Sequence, residues 1–221
     1  ARMQFHSRIK EKLDKGALDA DLFDDRSIFL AANYLAKKTV QGIGKAFKSA
    51  NDIMTWLADI ALIISRYGEP VMWTTPLGMP ILQPYRYDSS IQVRTDLQHI
   101  VVGVYDSDQP VNSSRQKMAF PPNFVHSLDA SHMIMTALSC ESKGVAFAAV
   151  HDSYWTHAGT VDDMNYELRE QFIRLHEHPI LEKLVEEVCV RIPGIRDELP
   201  PIPTRGTFNI QRVRQSDYFF N

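Results

Sequence analysis

The residues best suited to chemistry are the consecutive His151, Asp152 and Ser153. A run of small and apolar residues, 145–150, leads into them, and aromatic side chains follow. Aspartate is disfavoured within a strand, so this pattern predicts a β-hairpin that carries Asp152 at its tip. A carboxylate presented outward on a rigid turn suits a divalent metal ion. An ordinary structural turn aspartate is the alternative interpretation.

Other chemistries fit these residues less well. A Ser-His-Asp triad needs three converging side chains, whereas three consecutive residues point in different directions. The histidine pairs His126/His132 and His151/His157 lack nearby thiolates, which makes a zinc site a weak hypothesis. A His-Asp doublet also occurs in metal-dependent phosphohydrolases of the HD type, but on a helix rather than after a strand. From these residues, two functions remain possible for the chain: a stand-alone metal-dependent phosphohydrolase and a noncatalytic nucleic-acid-binding domain.

A second candidate group lies in a helix predicted to begin after Pro121-Pro122 and to end near Ser142. His126 and Asp129 are three residues apart and therefore share a face of that helix. This polar pair could line a cleft. Equally, Asp129 could simply interact with the positive end of the helix dipole.

The remaining pattern predicts an α+β protein, mostly helical with β-hairpins. Apolar spacing predicts three N-terminal helices, the last ending at Gly68. The segment 71–120 is β-rich and predicts a hairpin with an exposed tip near 106–112. After the hairpin at Asp152, helices are predicted to follow Thr160 and Pro179. The predicted N-terminal helices cover about 1–15, 24–48 and 53–67.

Charge is unevenly distributed along the chain. The net charge is −3, yet residues 1–48 hold ten Lys/Arg against six Asp/Glu, a balance of +4. Residues 121–221 hold nine against fourteen, a balance of −5. Such a distribution is compatible with nucleic acid on one side of the molecule, or with ordinary solvated surface helices. Two cysteines, Cys140 and Cys189, are too few for a four-thiolate zinc site.

Several motifs, in their order along the chain, resemble phage-type single-subunit RNA polymerases. The resemblance covers nearly the whole chain, and the combination is more specific than any one motif. The motifs are Trp73-Thr74-Thr75-Pro76-Leu77-Gly78, Gln83-Pro84-Tyr85, Pro121-Pro122-Asn123-Phe124-Val125-His126-Ser127-Leu128-Asp129 with Ser131-His132, Val150-His151-Asp152-Ser153, and Ser216-Asp217-Tyr218-Phe219-Phe220.

Details of these motifs resemble the mitochondrial branch. Phage members usually have an amide where Leu128 stands and Phe-Gly where Tyr154-Trp155 stands. The related DNA polymerases carry an acidic residue at the position of Ser153, a departure that favours RNA synthesis. The resemblance thus implies transcription of mitochondrial DNA in the mitochondrial matrix.

The resemblance implies a right-hand polymerase fold. Residues 1–120 would belong to the fingers, with a promoter-contacting specificity hairpin at about 86–118. Residues 121–221 would form the C-terminal part of the palm, including a catalytic hairpin at 145–157. A C-terminal foot at about 204–221 would pack back toward the active site.

The mechanism implied by the resemblance is nucleotidyl transfer with two Mg²⁺ ions. Asp152 resembles one of the metal ligands, with His151 beside it, and His126 resembles the residue near the primer terminus. The expected nucleic-acid contacts are Arg94, Arg115, Lys117 and Ser153. The expected partners are template and promoter DNA, nascent RNA, ribonucleoside triphosphates and mitochondrial transcription factors, with no membrane.

By the same resemblance, the family's second ligand aspartate would lie upstream of Ala1. So would the Lys and Tyr that bind the incoming nucleotide. The sequence Ala1-Arg2-Met3-Gln4 resembles the end of the helix that carries them. The 221 residues alone are therefore expected to be inactive as a polymerase.

Overall fold

The computed structural model describes residues 2–18, 23–104, 108–150 and 152–220. His151 therefore lies outside the described residues, as do residues 105–107 of the segment predicted as a hairpin tip. The chain divides into two compact units, Ala1–Ile53 and Met54–Asn221, a division that falls within a helix. The functional division predicted at 120/121 is a separate partition and stays a prediction.

The first unit is a small helical assembly. Helix α1 (Arg2–Asp14) packs on α2 (Asp25–Ala46) through a core of Ile9, Ile28 and Ala32. The Asp24 carboxylate accepts a hydrogen bond from the Ser27 amide and caps α2, which also lowers the pKa of Asp24. The predicted bounds of both helices are confirmed within two residues.

Helix α3 (Lys48–Arg66) leads into the second unit. Its buried face includes Leu57, Ile60 and Ile64, as the apolar spacing predicts. The helix terminates before Gly68, whose φ of +77° is a left-handed conformation that glycine adopts without strain. Trp56 donates its indole N–H to the Pro200 carbonyl at 3.1 Å and so joins α3 to the proline-rich segment.

The described strands form three antiparallel pairs. Strand β1 (Met72–Thr74) pairs with β2 (Pro80–Leu82), and β3 (Ser89–Arg94) pairs with β4 (His99–Val104). Strand β5 (Ala148–Val150) pairs with β6 (Ser153–Trp155). The α+β expectation, mostly helical with small hairpins, agrees with this architecture.

The long helix α4 (Ser113–Ser142) differs from its predicted bounds. The helix was expected to begin after Pro121-Pro122, yet it begins eight residues before Pro121, with Asn112 capping it through the Arg115 amide. Both prolines lie within it, and Pro121 is buried beside Phe120. Packing of this segment against Trp73, whose ring centroid lies 5.3 Å from that of Phe120, offsets the helix-breaking tendency of proline.

Two helices complete the second unit, α5 (Val161–Glu177) and α6 (Ile180–Arg191). Pro179 precedes α6 as predicted. Thr160 precedes α5, but its hydroxyl donates to the His157 carbonyl rather than capping the helix. The buried carboxylate of Glu167 on α5 contacts Lys143 and Ser139 and joins α5 to α4. No helix among the described residues combines the length and apolar character that a membrane crossing requires.

Candidate functional site

Asp152 lies at the turn between β5 and β6, as the sequence predicts, and its side chain is exposed. The two strands are only three residues each, with Val150 opposite Ser153. Thr156 donates its hydroxyl to the Ala146 carbonyl at 2.6 Å and closes the open end of this β5–β6 hairpin. A short, closed hairpin limits the freedom of the carboxylate at its turn.

Asp152 and His126 line the same cleft, which has a volume of about 810 Å³. Helix α4 presents the exposed side chains of His126 and Asp129 to this cleft, so the predicted shared face of these two residues is confirmed. Of the two interpretations of this pair, the structure supports the one in which it lines a cleft. The rest of the lining is largely aromatic and apolar, an aromatic wall that includes Met133, Tyr154, Phe172, Leu175 and Phe220.

The C-terminal segment holds this aromatic wall together. Phe220 stacks on Tyr154 with ring centroids 5.1 Å apart and planes at 14°. Phe219 contacts Phe172 edge-on at 5.0 Å. Each aromatic pair contributes about 0.5–1.5 kcal/mol beyond the burial of its surface. Tyr154 follows Asp152 by two residues, so the stacking supports the hairpin that carries the carboxylate.

Contacts from helix α5 fix the C-terminal segment. Arg169 donates to the carbonyls of Val213 and Ser216 at 2.7 and 2.6 Å, and its guanidinium lies over the Phe219 ring. Arg214 forms an ion pair with Glu170, and this pairing raises the pKa of the Arg214 guanidinium. Sequence reasoning missed Arg169, because its role depends on contacts with carbonyls more than forty residues away.

Burial and nearby charges keep the aromatic wall neutral beside the carboxylates of Asp129 and Asp152. Burial raises the pKa of the Tyr154 phenol, and the charges of Asp129 and Asp152 raise it further. Burial lowers the pKa of His132, which keeps its imidazole neutral while Nε2 donates to the Leu168 carbonyl at 2.8 Å. His132 is thus a core residue packed on Phe172 rather than a metal ligand.

The predicted nucleic-acid contacts lie on three elements, α4, β3 and β6. Arg115 and Lys117 are on α4, and Arg115 forms a bidentate pair with Asp88 at 2.9 and 2.7 Å. Arg94 contacts His99 across the β3–β4 hairpin. Ser153 is exposed beside Asp152. Contacts of these side chains with nucleic acid stay predictions.

The β3–β4 hairpin differs from the predicted specificity hairpin at both ends. The turn between its strands is at 95–98, where the Thr95 hydroxyl caps the Gln98 amide. The expected tip at 106–112 is therefore wrong for the described part, residues 108–112, which returns to the base through the Arg86–Val111 bridge. Residues 113–118 belong to α4 instead of the hairpin. The polar, proline-containing composition of 106–112 indicated a turn but not which turn.

Comparisons with known proteins identify the chain's relatives. The family model for DNA-dependent RNA polymerase matches residues 1–198. The chain is 47% identical over all 221 residues to the mitochondrial DNA-directed RNA polymerase 1 of Nicotiana sylvestris, covering 21% of that protein. It is 48% identical to DNA-directed RNA polymerase 2A of Nicotiana tabacum, covering 63%. It is 47% identical to the chloroplastic DNA-directed RNA polymerase 3B of Nicotiana tabacum, covering 22%.

The chain thus spans between about a fifth and just under two thirds of the length of these curated relatives. The matches to these relatives extend over the whole chain. This chain belongs to the DNA-dependent RNA polymerase family.

Proposed function

We propose that this chain carries part of the catalytic centre for DNA-templated RNA synthesis. The observation that supports this most directly is the exposed Asp152 carboxylate at the end of the β5–β6 hairpin, lining one cleft with His126, in a member of this polymerase family. Polymerisation extends an RNA 3′-hydroxyl by a nucleoside monophosphate and releases pyrophosphate.

The proposed cofactor is Mg²⁺, with two ions in the complete enzyme. Among the described residues there is no cluster of three or more His, Cys, Asp or Glu side chains able to hold a metal ion. Mg²⁺ commonly binds through one or two carboxylates, water and substrate phosphates, so Asp152 fits as a single ligand. When bound, such ions activate the attacking hydroxyl and neutralise charge on the phosphates.

The side chains have distinct proposed roles in this reaction. Asp152 supplies carboxylate oxygens, and its turn keeps them at the cleft. His126, on the facing helix, contacts the primer terminus and the nascent base pair. His151 and Ser153 flank Asp152 and orient it. Neutral Tyr154 and Phe220 exclude water from one side of the cleft without adding charge near the reacting phosphates.

The proposed placement follows the right-hand arrangement of the family. Residues 1–120 contribute to the fingers, with the β3–β4 hairpin within 86–118 contacting promoter DNA. Residues 121–221 contribute to the palm, with the hairpin at 145–157 and the foot at 204–221. Arg94, Arg115, Lys117 and Ser153 contact nucleic acid.

Shape and base contacts would dominate at the hairpin. Residues 86–112 hold Arg86 and Arg94 against four aspartates, a balance of −2, so attraction to phosphates is weak there. The proposed partners are template and promoter DNA, nascent RNA, ribonucleoside triphosphates and mitochondrial transcription factors. The proposed location is the mitochondrial matrix, which import of a tagged full-length protein into isolated mitochondria would test.

The decisive experiment measures template-dependent ribonucleotide incorporation by the full-length protein. Asp152→Asn keeps the shape of the side chain but removes its charge, and incorporation should fall by at least about a thousandfold because transition-state charge stabilisation is lost. Promoter binding should remain. Asp162→Asn, in the first turn of α5, is the matched control and should retain activity. Incorporation that is insensitive to Asp152→Asn would refute the assignment, and phosphoester hydrolysis without template dependence would favour the phosphohydrolase alternative.

A further inference from the structure

Three amide side chains, two of them buried, form a cluster between the base of the β3–β4 hairpin and α4. Gln83 precedes the hairpin and is 2% exposed, Gln116 on α4 is 0% exposed, and Asn123 is a later α4 residue. We call these three side chains the amide cluster. Buried amides are costly unless their donors and acceptors are paired, so their presence here requires a dense set of hydrogen bonds.

Gln116 pairs all of its side-chain hydrogen-bonding groups. Its Nε2 donates to the carbonyls of Gln83 at 2.9 Å and Tyr85 at 3.3 Å. Its Oε1 accepts from Gln83 Nε2 at 2.8 Å and from the Val71 amide at 3.4 Å. Gln116 therefore fixes the segment 83–85, which leads into the hairpin, against the first part of α4.

Gln83 contacts α4 on both sides of its two prolines. Its Nε2 donates to Gln116, five residues before Pro121, and its Oε1 accepts from Asn123 Nδ2 at 3.0 Å, directly after Pro122. Proline has no N–H, so the carbonyls of Lys117 and Met118 lose the donors that a regular α-helix would provide. The cluster thus spans the one stretch where α4 lacks two consecutive backbone hydrogen bonds.

The two ends joined in this way have different proposed tasks. The base of the hairpin is fixed by the Tyr85 carbonyl, which accepts from the Asn112 amide at 3.1 Å, and by Arg86, which donates to the Gln109 carbonyl at 2.7 Å. The α4 residues after the prolines include His126, which lines the cleft with Asp152. Bending of α4 at the prolines would therefore alter the position of the hairpin relative to the cleft.

We propose that Gln83 is a positioning residue that holds the β3–β4 hairpin in register with the His126-bearing half of α4 across Pro121 and Pro122. The proposal rests on the proposed function for its consequence in transcription. The part that concerns the position of the hairpin relative to α4 does not depend on that function. Losing the cluster lets the helix bend vary, so the hairpin samples several orientations relative to the cleft.

The geometric test is a distance distribution in the full-length protein. Spin labels attached through ketone-bearing amino acids at positions 97 and 138 report on the hairpin turn and on α4 beyond the prolines. Both native side chains, Leu97 and Leu138, are exposed. We expect one narrow distribution with Gln83 and a broadened or displaced one with Gln83→Leu. An unchanged distribution would overturn the proposal, whatever the enzyme's activity.

The functional test compares promoter-directed initiation with elongation on a preassembled scaffold. Gln83→Leu should lower initiation about tenfold relative to elongation, the change expected from losing coupling of about one hydrogen bond to a buried partner. A purely structural defect would lower both rates equally. Asn123→Ala, which removes only the contact after the prolines, should reproduce the selective loss and serves if Gln83→Leu does not fold.

Gln171→Leu is the matched control. Gln171 donates to the Ser139 hydroxyl, at a distance of 3.3 Å, and takes no part in the hydrogen bonds described above for Gln83, Gln116 and Asn123. This substitution should leave the ratio of initiation to elongation and the distance distribution unchanged. A broadened distribution with an unchanged ratio would overturn the coupling to initiation. A wild-type protein without template-dependent activity would refute the proposed function, and the distance measurement would still decide the positioning role.

Discussion

The β5–β6 and β3–β4 hairpins of this chain are held in opposite ways. The β5–β6 hairpin has three-residue strands and is supported along its length, with Tyr154 between Phe147, His132 and Phe220. The β3–β4 hairpin has six-residue strands, and its described contacts with α4 are at the base. A hairpin that must hold a reacting atom in place needs support near its turn. A hairpin that must adapt to the surface of a partner needs support at its base.

The faces of the β3–β4 hairpin sharpen this difference. Cross-strand pairs Ile91–Val102 and Val93–Ile100 lie on one face, and all four side chains are exposed. Isolated two-stranded hairpins are only marginally stable in water. Branched side chains stiffen the ribbon through cross-strand contacts, so the hairpin can keep its shape while its contacts remain available.

The largest effect is expected when the 221 residues that carry the β5–β6 hairpin are assayed without further polypeptide. The 221-residue chain without further polypeptide should show no template-dependent incorporation, because one ligand aspartate supplies too few charged oxygens for two Mg²⁺ ions. The measurement is nucleotide incorporation by the purified chain, with Asp152→Asn as control. Incorporation abolished by that substitution would mean that the described cleft is a complete active site.

Removing the aromatic support should give the next largest effect. Phe220→Ala deletes the ring stacked on Tyr154, and we expect kcat to fall about ten- to a hundredfold because the Asp152 turn loses its lateral packing. Initiation and elongation should fall equally. Phe208→Ala, at an exposed ring, is the control and should leave both rates unchanged. A loss confined to initiation would contradict the contrast between the hairpins.

Shortening the β3–β4 turn should have a smaller and more selective effect. Replacing residues 95–98 by Asn-Gly keeps the strands paired through a tight turn but removes the fully exposed Leu97. We expect promoter-directed initiation to fall about tenfold while scaffold elongation stays within about twofold, since shape contacts rather than charge dominate here. Thermal unfolding of the protein should not change. Equal loss of both activities would assign the turn a catalytic role.

The smallest expected effect concerns pH. Burial lowers the pKa of His132, so its neutral form stabilises the fold above the unfolded-state pKa, and this contribution is lost as the pH falls through the lower folded-state pKa. The hydrogen bond to the Leu168 carbonyl and the charge of Asp129 raise the pKa of His132 and moderate the effect, whereas the charge of His176 lowers this pKa and strengthens the effect. Thermal unfolding between pH 7 and pH 5 should show a drop that His132→Phe reduces, with His157→Phe as control. An identical drop in His132→Phe would exclude this origin.

The sequence predicted elements whose signals are local. Apolar spacing and Gly68 predicted α3 and its end, and the apolar run before Asp152 predicted the β5–β6 hairpin. Pro121-Pro122 misled because proline normally begins or interrupts a helix, and only tertiary packing on Trp73 shows why this helix continues through them. The amide cluster could not be predicted, since Gln83 and Gln116 are separated by 33 residues and look like ordinary polar side chains.

The reciprocal pairing within the amide cluster constrains how this protein can diverge. A drift that replaces Gln116 by an apolar residue leaves the Gln83 carbonyl and the Val71 amide without partners and weakens the pairing of Gln83 Nε2, each lost buried partner costing about 1–3 kcal/mol. Replacing both glutamines by apolar residues of similar volume removes the cost of the unpaired Gln83 amide but leaves these two backbone groups without partners. In a collection of related sequences, positions 83, 116 and 123 should therefore change together or not at all, and any lineage that loses the Pro121-Pro122 pair should be released from this constraint.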